Sequence, residues 1–385
     1  MTDELLGELG LRQQQLLSII DATPATDCYQ QYHPDLSPLA WHLGHCAFIE
    51  SYWISDRVLG NSRRTLDSES LYFPELSPKP GRAARMPGKT DLLDQCKTTF
   101  AENIGLLDEL SQSDRSHPLL AGNYLLHFLI QHHCQHLETV EQILLQRAYR
   151  QNWRDFQADG LAPRTASPDP IKVEGGSVEF GNSDEAIAYD NERPVWSTTI
   201  DSFNIGKHAA SNSEYLGFML AGGYQNEDWW SSTGWQWQQS LGINAPDHWR
   251  QDASGNWYSL TANGPTSLGS NEAVYGLSFY EAEAFSRYQG GRLPHELEWE
   301  AAAAKKIIAP DAAWEWCNNH FFPYPGFHPY PYDGYSLPWF DERHLTLRGA
   351  SLHTLAPIRR VTFRNFYTPE KRHVFAGVRV AFDSN

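Results

Sequence analysis

Gly122-Asn123-Tyr124-Leu125-Leu126-His127-Phe128-Leu129-Ile130-Gln131-His132-His133-Cys134-Gln135-His136-Leu137-Glu138-Thr139-Val140-Glu141-Gln142-Ile143-Leu144-Leu145-Gln146-Arg147 decides how the first half of this chain reads. Leu125, Leu129, His132, His136, Val140, Ile143 and Leu144 recur at helical spacing, which predicts one helix with these residues along one side. Histidines four apart on a helix stand one above the other. His132 and His136 can therefore both face one metal ion. Glu138 is turned about 200° from His136 by the 3.6-residue period, so it is expected outside the ligand set. Gln135 is only about 60° from His132 and can reach the space beside the ion. Cys134 turns away and reads as a buried apolar residue. His127 and His133 lie on other faces and read as surface or packing histidines.

Three more helices are expected upstream. Leu5, Leu6, Leu9, Leu16 and Leu17 follow helical spacing. Ser37-Pro38 suits a helix start, with serine as cap and proline in the first turn. That helix runs through Trp41, His45, Phe48 and Trp53. Another covers Lys89 to Leu110, and residues from Ser62 to Pro87 read as a long loop. Four such helices make a bundle. In Trp41-His42-Leu43-Gly44-His45, His45 lies four residues after Trp41 and three before Phe48, on the apolar face. It is the expected third ligand, while His42 falls off that face and is expected in solvent. Three neutral imidazoles suit Zn, Fe, Ni or Cu, and spacing does not choose among them.

A chain of 385 residues is too long for one ordinary core and implies two domains. The expected organisation is α+β: a helical metal-binding domain over 1–155, a Pro- and Gly-containing linker over 156–172, and a second domain over 173–385. The second half changes to short strand-like runs, with helices expected only at Ser211–Ala221, Ser278–Tyr288 and, shorter, Glu296–Ala304. A formal net charge of −17 repels phosphate backbones and anionic lipids, so nucleic acid and membrane surfaces are poor partners. No apolar run is long enough to span a bilayer. The acidic N-terminus lacks the basic start of a signal peptide. Five scattered cysteines form neither a disulfide framework nor a CxxC site, and a reducing cytoplasm is the expected compartment.

The motif His132-x3-His136-x-Glu138 resembles that of the EgtB and OvoA sulfoxide synthases, whose first half is a DinB-like four-helix bundle. The second half resembles the formylglycine-generating-enzyme domain, a C-type-lectin-like fold. The marks are Gly290-Gly291-Arg292-Leu293-Pro294, Glu298-Trp299-Glu300, Ala313-Trp314-Glu315-Trp316, Leu347-Arg348-Gly349-Ala350-Ser351 and Phe375-Ala376-Gly377-Val378-Arg379. The resemblance covers nearly the whole chain. It implies an Fe(II), O2-dependent enzyme that joins a thiol to the imidazole of hercynine (Nα-trimethylhistidine) as a sulfoxide, in ergothioneine biosynthesis.

Residue by residue, the resemblance implies that Gln135 helps hold the hercynine imidazole. It implies that Tyr332 supplies a proton in the oxygen chemistry and that Tyr335 lines the substrate pocket. Asn365 and Phe366 match residues that contact hercynine. In members using γ-glutamylcysteine, an aspartate follows the Arg-Asn-aromatic stretch, with an arginine four residues on. Here Tyr367 and Lys371 stand there, followed by Arg372. The missing carboxylate favours cysteine over γ-glutamylcysteine and leaves a selenosugar, as in selenoneine synthases, as the alternative donor. Arg82 stands in the loop where the family places a donor-carboxylate arginine, although a surface position is expected for both Arg82 and Arg85. Arg348-Gly349-Ala350-Ser351-Leu352 replaces the usual Arg-Gly-Gly-Ser-Trp, with an expected cost limited to local packing. Formylglycine-generating activity needs paired cysteines, and Cys317 stands alone in the second half. A DinB-type metal-dependent thiol transferase and a binding protein with a degenerate site are the other readings.

Overall fold

A computed structural model of the chain describes residues 2–113, 115–165, 169–310 and 312–384. The chain divides into two compact units, Met1–Gln151 and Asn152–Asn385.

The first unit is the expected bundle, with long helices at Thr2–Ala22, Leu39–Ser51, Lys89–Ser111 and Tyr124–Ala148. The first and second helices each pack against the third and fourth. The second helix continues as a π-helical segment, Tyr52–Val58. The fourth starts at Tyr124 rather than Gly122, because Gly122 and Asn123 are both left-handed (φ 59° and 62°) and break the helical hydrogen bonding. The cap expected at Ser37 is not made. Pro38 holds the N-cap position, and the Ser37 hydroxyl accepts a hydrogen bond from Arg82 instead. The expected loop over 62–87 is a string of single helical turns, Glu69–Tyr72 and Arg82–Arg85 among them.

One carboxylate ties all four helices together. Glu50, on the second helix, accepts two 3.0 Å bonds from Gln13 of the first and one of 3.1 Å from Asn103 of the third. His133 of the fourth helix donates from Nε2 at 2.5 Å. Glu50 and His133 are both fully buried, which makes His133 the packing histidine of the two alternatives. A carboxylate this deep persists only when its lone pairs are satisfied, and four donor contacts do so here.

Among its described residues the second unit combines short sheets with four α-helices. β1 (Pro170–Val173), β2 (Phe203–Gly206) and β7 (Ala381–Asp383) form an antiparallel sheet in the order β1-β2-β7. β3 (Trp314–His320), β4 (Leu345–Gly349), β5 (Asn365–Tyr367) and β6 (Ala376–Gly377) form another, with β6 parallel to β3. The helices are Asn212–Leu220, Ser232–Leu241, Phe279–Tyr288 and Glu296–Ala304. The second of these was not expected, because Trp-Gln-Trp-Gln mimics strand alternation. Its punctuation was nevertheless present: Ser231 caps Gly234 N and Gly242 closes the helix in the left-handed region.

Three glutamates on the Glu296–Ala304 helix each hold an arginine, two of them from distant segments and one from just before the helix. Glu296 takes Arg364 (2.7 and 2.8 Å), Glu298 takes Arg292 (2.7 and 2.7 Å), and Glu300 takes Arg348. The sequence motifs of this half are thus mostly buried ion pairs. Glu315 adds a fourth, with Arg379 (2.6 and 2.7 Å) and the Trp299 indole (2.6 Å). Cys317 is sealed in the core with Val173, Phe203, Ile205 and Trp299. Leu352, where a tryptophan is usual, is 64 % exposed and costs the core nothing.

The stretch expected as a linker is tied to the second unit. Ala158 N donates to Asp252 (3.0 Å), Asp159 N to Ser267 (2.9 Å) and Arg164 N to Ser213 O (2.9 Å). β1 begins at Pro170, inside the expected linker. Of that linker, Ala166, Ser167 and Pro168 lie outside the described residues.

Candidate metal centre

His45 from the second helix meets His132 and His136 from the fourth. His132 Nε2 lies 3.3 Å from His45 Nε2 and 3.1 Å from His136 Nε2. With metal–nitrogen bonds of about 2.1 Å, two imidazoles at right angles on one ion have nitrogens about 3.0 Å apart. The three rings therefore present the edges that a single ion requires.

The tautomers agree with that use. His45 Nδ1 lies 2.8 Å from the Tyr72 carbonyl, which only accepts, so Nδ1 carries the proton and Nε2 keeps its lone pair. Burial lowers all the imidazole pKa values, to about 4 for His45 and well below the ordinary value for His132 and His136. Neighbouring histidines add to the effect, and neutral rings are the form that ligates a metal.

The second helix supports His45 from behind. Trp41 stacks on it (centroids 4.5 Å apart, planes 16° apart), and the Arg82 guanidinium carbon lies 3.8 Å from the Trp41 ring centroid. Arg82 is buried, donating to Ser77 O (2.9 Å), Pro74 O (3.3 Å) and Ser37. This corrects its expected surface position. Burial lowers its pKa to about 10. Arg85 is exposed as expected and bonds Ser70 at 2.8 Å. Gly44 is required by close packing: a Cβ there would lie 2.3 Å from the Tyr72 hydroxyl oxygen.

His42, expected in solvent, is buried, and its Nδ1 lies 2.8 Å from Nδ1 of His136. The helical period contained the signal. A three-residue step leaves His42 about 60° from His45, the same offset that brought Gln135 beside His132. Gln135 is partly exposed, and Glu138 and Cys134 are buried. Burial lifts the Cys134 thiol to about 12, so it is inert as a thiolate.

The remaining site expectations fall in the second unit. Tyr332 is 39 % exposed, on a loop anchored where Ser336 bonds Asp190 (2.5 Å) and Asn191 bonds Ser336 (3.0 Å). Tyr335 stacks on Tyr189 (centroids 4.2 Å apart, planes 12° apart). Asn365 and Phe366 lie on β5. The Asn365 side-chain Oδ1 accepts from Phe366 N at 2.9 Å, and Phe366 stacks on Phe321 at 4.3 Å. Lys371 pairs with Glu370 at 3.1 Å. Arg372 holds buried Glu281 through two bonds (2.8 and 2.9 Å), which commits most of its guanidinium to the scaffold.

Comparison with known proteins agrees with this division. The DinB superfamily model matches residues 8–140, and the sulfatase-modifying factor enzyme 1-like domain matches 156–307. A hercynine oxygenase of Mycolicibacterium smegmatis is 29 % identical, with 99 % of each chain covered. A hercynine oxygenase of Mycobacterium tuberculosis is 28 % identical, again with 99 % of each covered. Ergothioneine biosynthesis protein 1 of Schizosaccharomyces pombe is 24 % identical, over 52 % of this chain and 28 % of its own length. Two domain models in this order, with relatives named hercynine oxygenase spanning the whole chain, support an EgtB-like sulfoxide synthase.

Proposed function

We propose that the chain is a non-haem iron(II), O2-dependent sulfoxide synthase that joins a thiol to the imidazole of hercynine in ergothioneine biosynthesis. The convergence of three neutral imidazole nitrogens, from His45, His132 and His136, carries the reading. Full-length likeness to proteins named hercynine oxygenase supports the substrate. Zinc has no redox chemistry, so an oxygenase needs another metal that accepts imidazole, and iron does. The balance is thiol plus hercynine plus O2 giving sulfoxide plus water, with sulfur and the imidazole carbon oxidised. Bound iron(II) would supply the electron transfer to O2.

The chain's own groups hold the organic substrates. Gln135 offers an amide to the hercynine imidazole. Tyr335 and Phe366 offer aromatic faces, which attract a trimethylammonium group that has no N–H to donate. Asn365 adds a polar contact, and the Tyr332 phenol donates a proton. Tyr367, standing where a carboxylate would bind the α-ammonium of γ-glutamylcysteine, favours cysteine as donor, with Lys371 facing its carboxylate.

The test is anaerobic loading with iron(II), then O2 uptake with hercynine and a panel of cysteine, γ-glutamylcysteine and a selenosugar. Hercynine-dependent uptake fastest with cysteine is expected. No hercynine-dependent uptake with any donor would overturn the reading. Tyr332→Phe should divert O2 toward simple thiol oxidation, and an unchanged product ratio would remove Tyr332 from the chemistry.

A further inference from the structure

We infer that His42 is a positioning residue for the metal centre, holding His136 by accepting a hydrogen bond from its Nδ1–H. This rests on the metal-site reading above. His136 directs Nε2 toward His132 (3.1 Å) and Nδ1 toward His42 Nδ1 (2.8 Å), so its two nitrogens have different partners. If Nε2 gives its lone pair to an ion, the proton must sit on Nδ1. His42 Nδ1 must then be the acceptor, and its own proton sits on Nε2. Among the described residues, that buried Nε2 has no hydrogen-bond partner. A buried donor left open is disfavoured, and the pair persists in this orientation because Nδ1 is needed for His136.

The same arrangement rules His42 out as a fourth ligand from this rotamer, because its approach to His136 is on the edge away from the Nε2 cluster. The two supported ligands are fixed by different devices. His45 is held by a backbone carbonyl (2.8 Å) and His136 by a neutral side chain. Partners of this kind set the ligand ring's orientation and raise its basicity.

The experiment uses the full chain loaded with Co(II), with affinity read by chelator competition and the ligand N–H protons by hyperfine-shifted proton NMR. Wild type is expected to bind one equivalent and to show a slowly exchanging His136 Nδ1–H. His42→Leu should still bind one equivalent, about 10- to 100-fold more weakly, with that proton lost to rapid exchange. His42→Asn places an amide oxygen where Nδ1 stood and should restore both the signal and most of the affinity. Equal affinity in His42→Leu, or no rescue by His42→Asn relative to it, overturns the inference and leaves the metal site standing. Failure of wild type to bind an equivalent overturns both. If His42→Leu does not fold, the Nδ1–H signal in His42→Asn decides: retention supports the role and loss overturns it.

Discussion

Gly44→Ala sets two opposed magnitudes against each other. In a helix interior alanine is favoured over glycine by about 1 kcal/mol. At this position the new Cβ would stand 2.3, 2.4 and 2.5 Å from Oη, Cζ and Cε1 of Tyr72. Ordinary carbon contacts are about 3.5–4.0 Å, so the ring must retreat by about 1 Å or more. Tyr72 is buried, and its backbone is pinned to the second helix by Trp41 Nε1 to Leu71 O (2.9 Å) and His45 Nδ1 to Tyr72 O (2.8 Å). Overpacking of this kind costs about 1–3 kcal/mol, and disturbing a net hydrogen bond adds about 1 kcal/mol. The clash should win, leaving a net loss of about 1–3 kcal/mol. For a unit of about 150 residues that lowers Tm by roughly 2–12 °C. Metal affinity should fall about tenfold or more as His45 loses its carbonyl. Thermal melts of the apo chain and chelator competition read the two effects. A double variant with Tyr72→Leu should recover part of the stability, because the two changes share one contact. A single Gly44→Ala chain that melts higher than wild type and binds metal unchanged would refute the reasoning.

Glu50→Ala should cost about 3–5 kcal/mol in urea unfolding of the bundle, since His133, Gln13 and Asn103 lose their common acceptor; a loss under 1 kcal/mol would show that the cross-tie is dispensable. Leu352→Trp should change stability by no more than about 0.5 kcal/mol, because the side chain faces solvent; a large gain would place that side chain in the core. Burial raises the Asp190 carboxyl to about 6, above its unfolded value near 3.8, so the folded state holds the proton more tightly. Its contribution to stability is therefore greatest below about pH 4 and falls as pH rises through about 6. Asp190→Asn should gain on wild type by on the order of 2–3 kcal/mol between pH 4 and 7, read by denaturant midpoints; parallel pH profiles would refute the shift.

Local periodicity was enough to place the four bundle helices and to put His132, His136 and His45 on apolar faces, because side chains four apart on a helix align whatever the rest of the chain does. The inert Cys134 was legible for the same reason, and the two-part organisation in the chain's length and its change of texture. What depended on distant segments was not legible. His42 and His136 are 94 residues apart, Glu50 and His133 are 83 apart, and Arg82 reaches Ser37 across 45. A helical wheel gives a direction from an axis and says nothing of what stands in that direction. Only helix packing turned His42 from a solvent residue into a partner of His136 and Arg82 from a surface residue into a buried tie, and decided between surface and packing for His133. The histidine pair was written in the sequence; its tautomers, its third member's support and its neighbours came from the tertiary structure, because protons and lone pairs are assigned by contact.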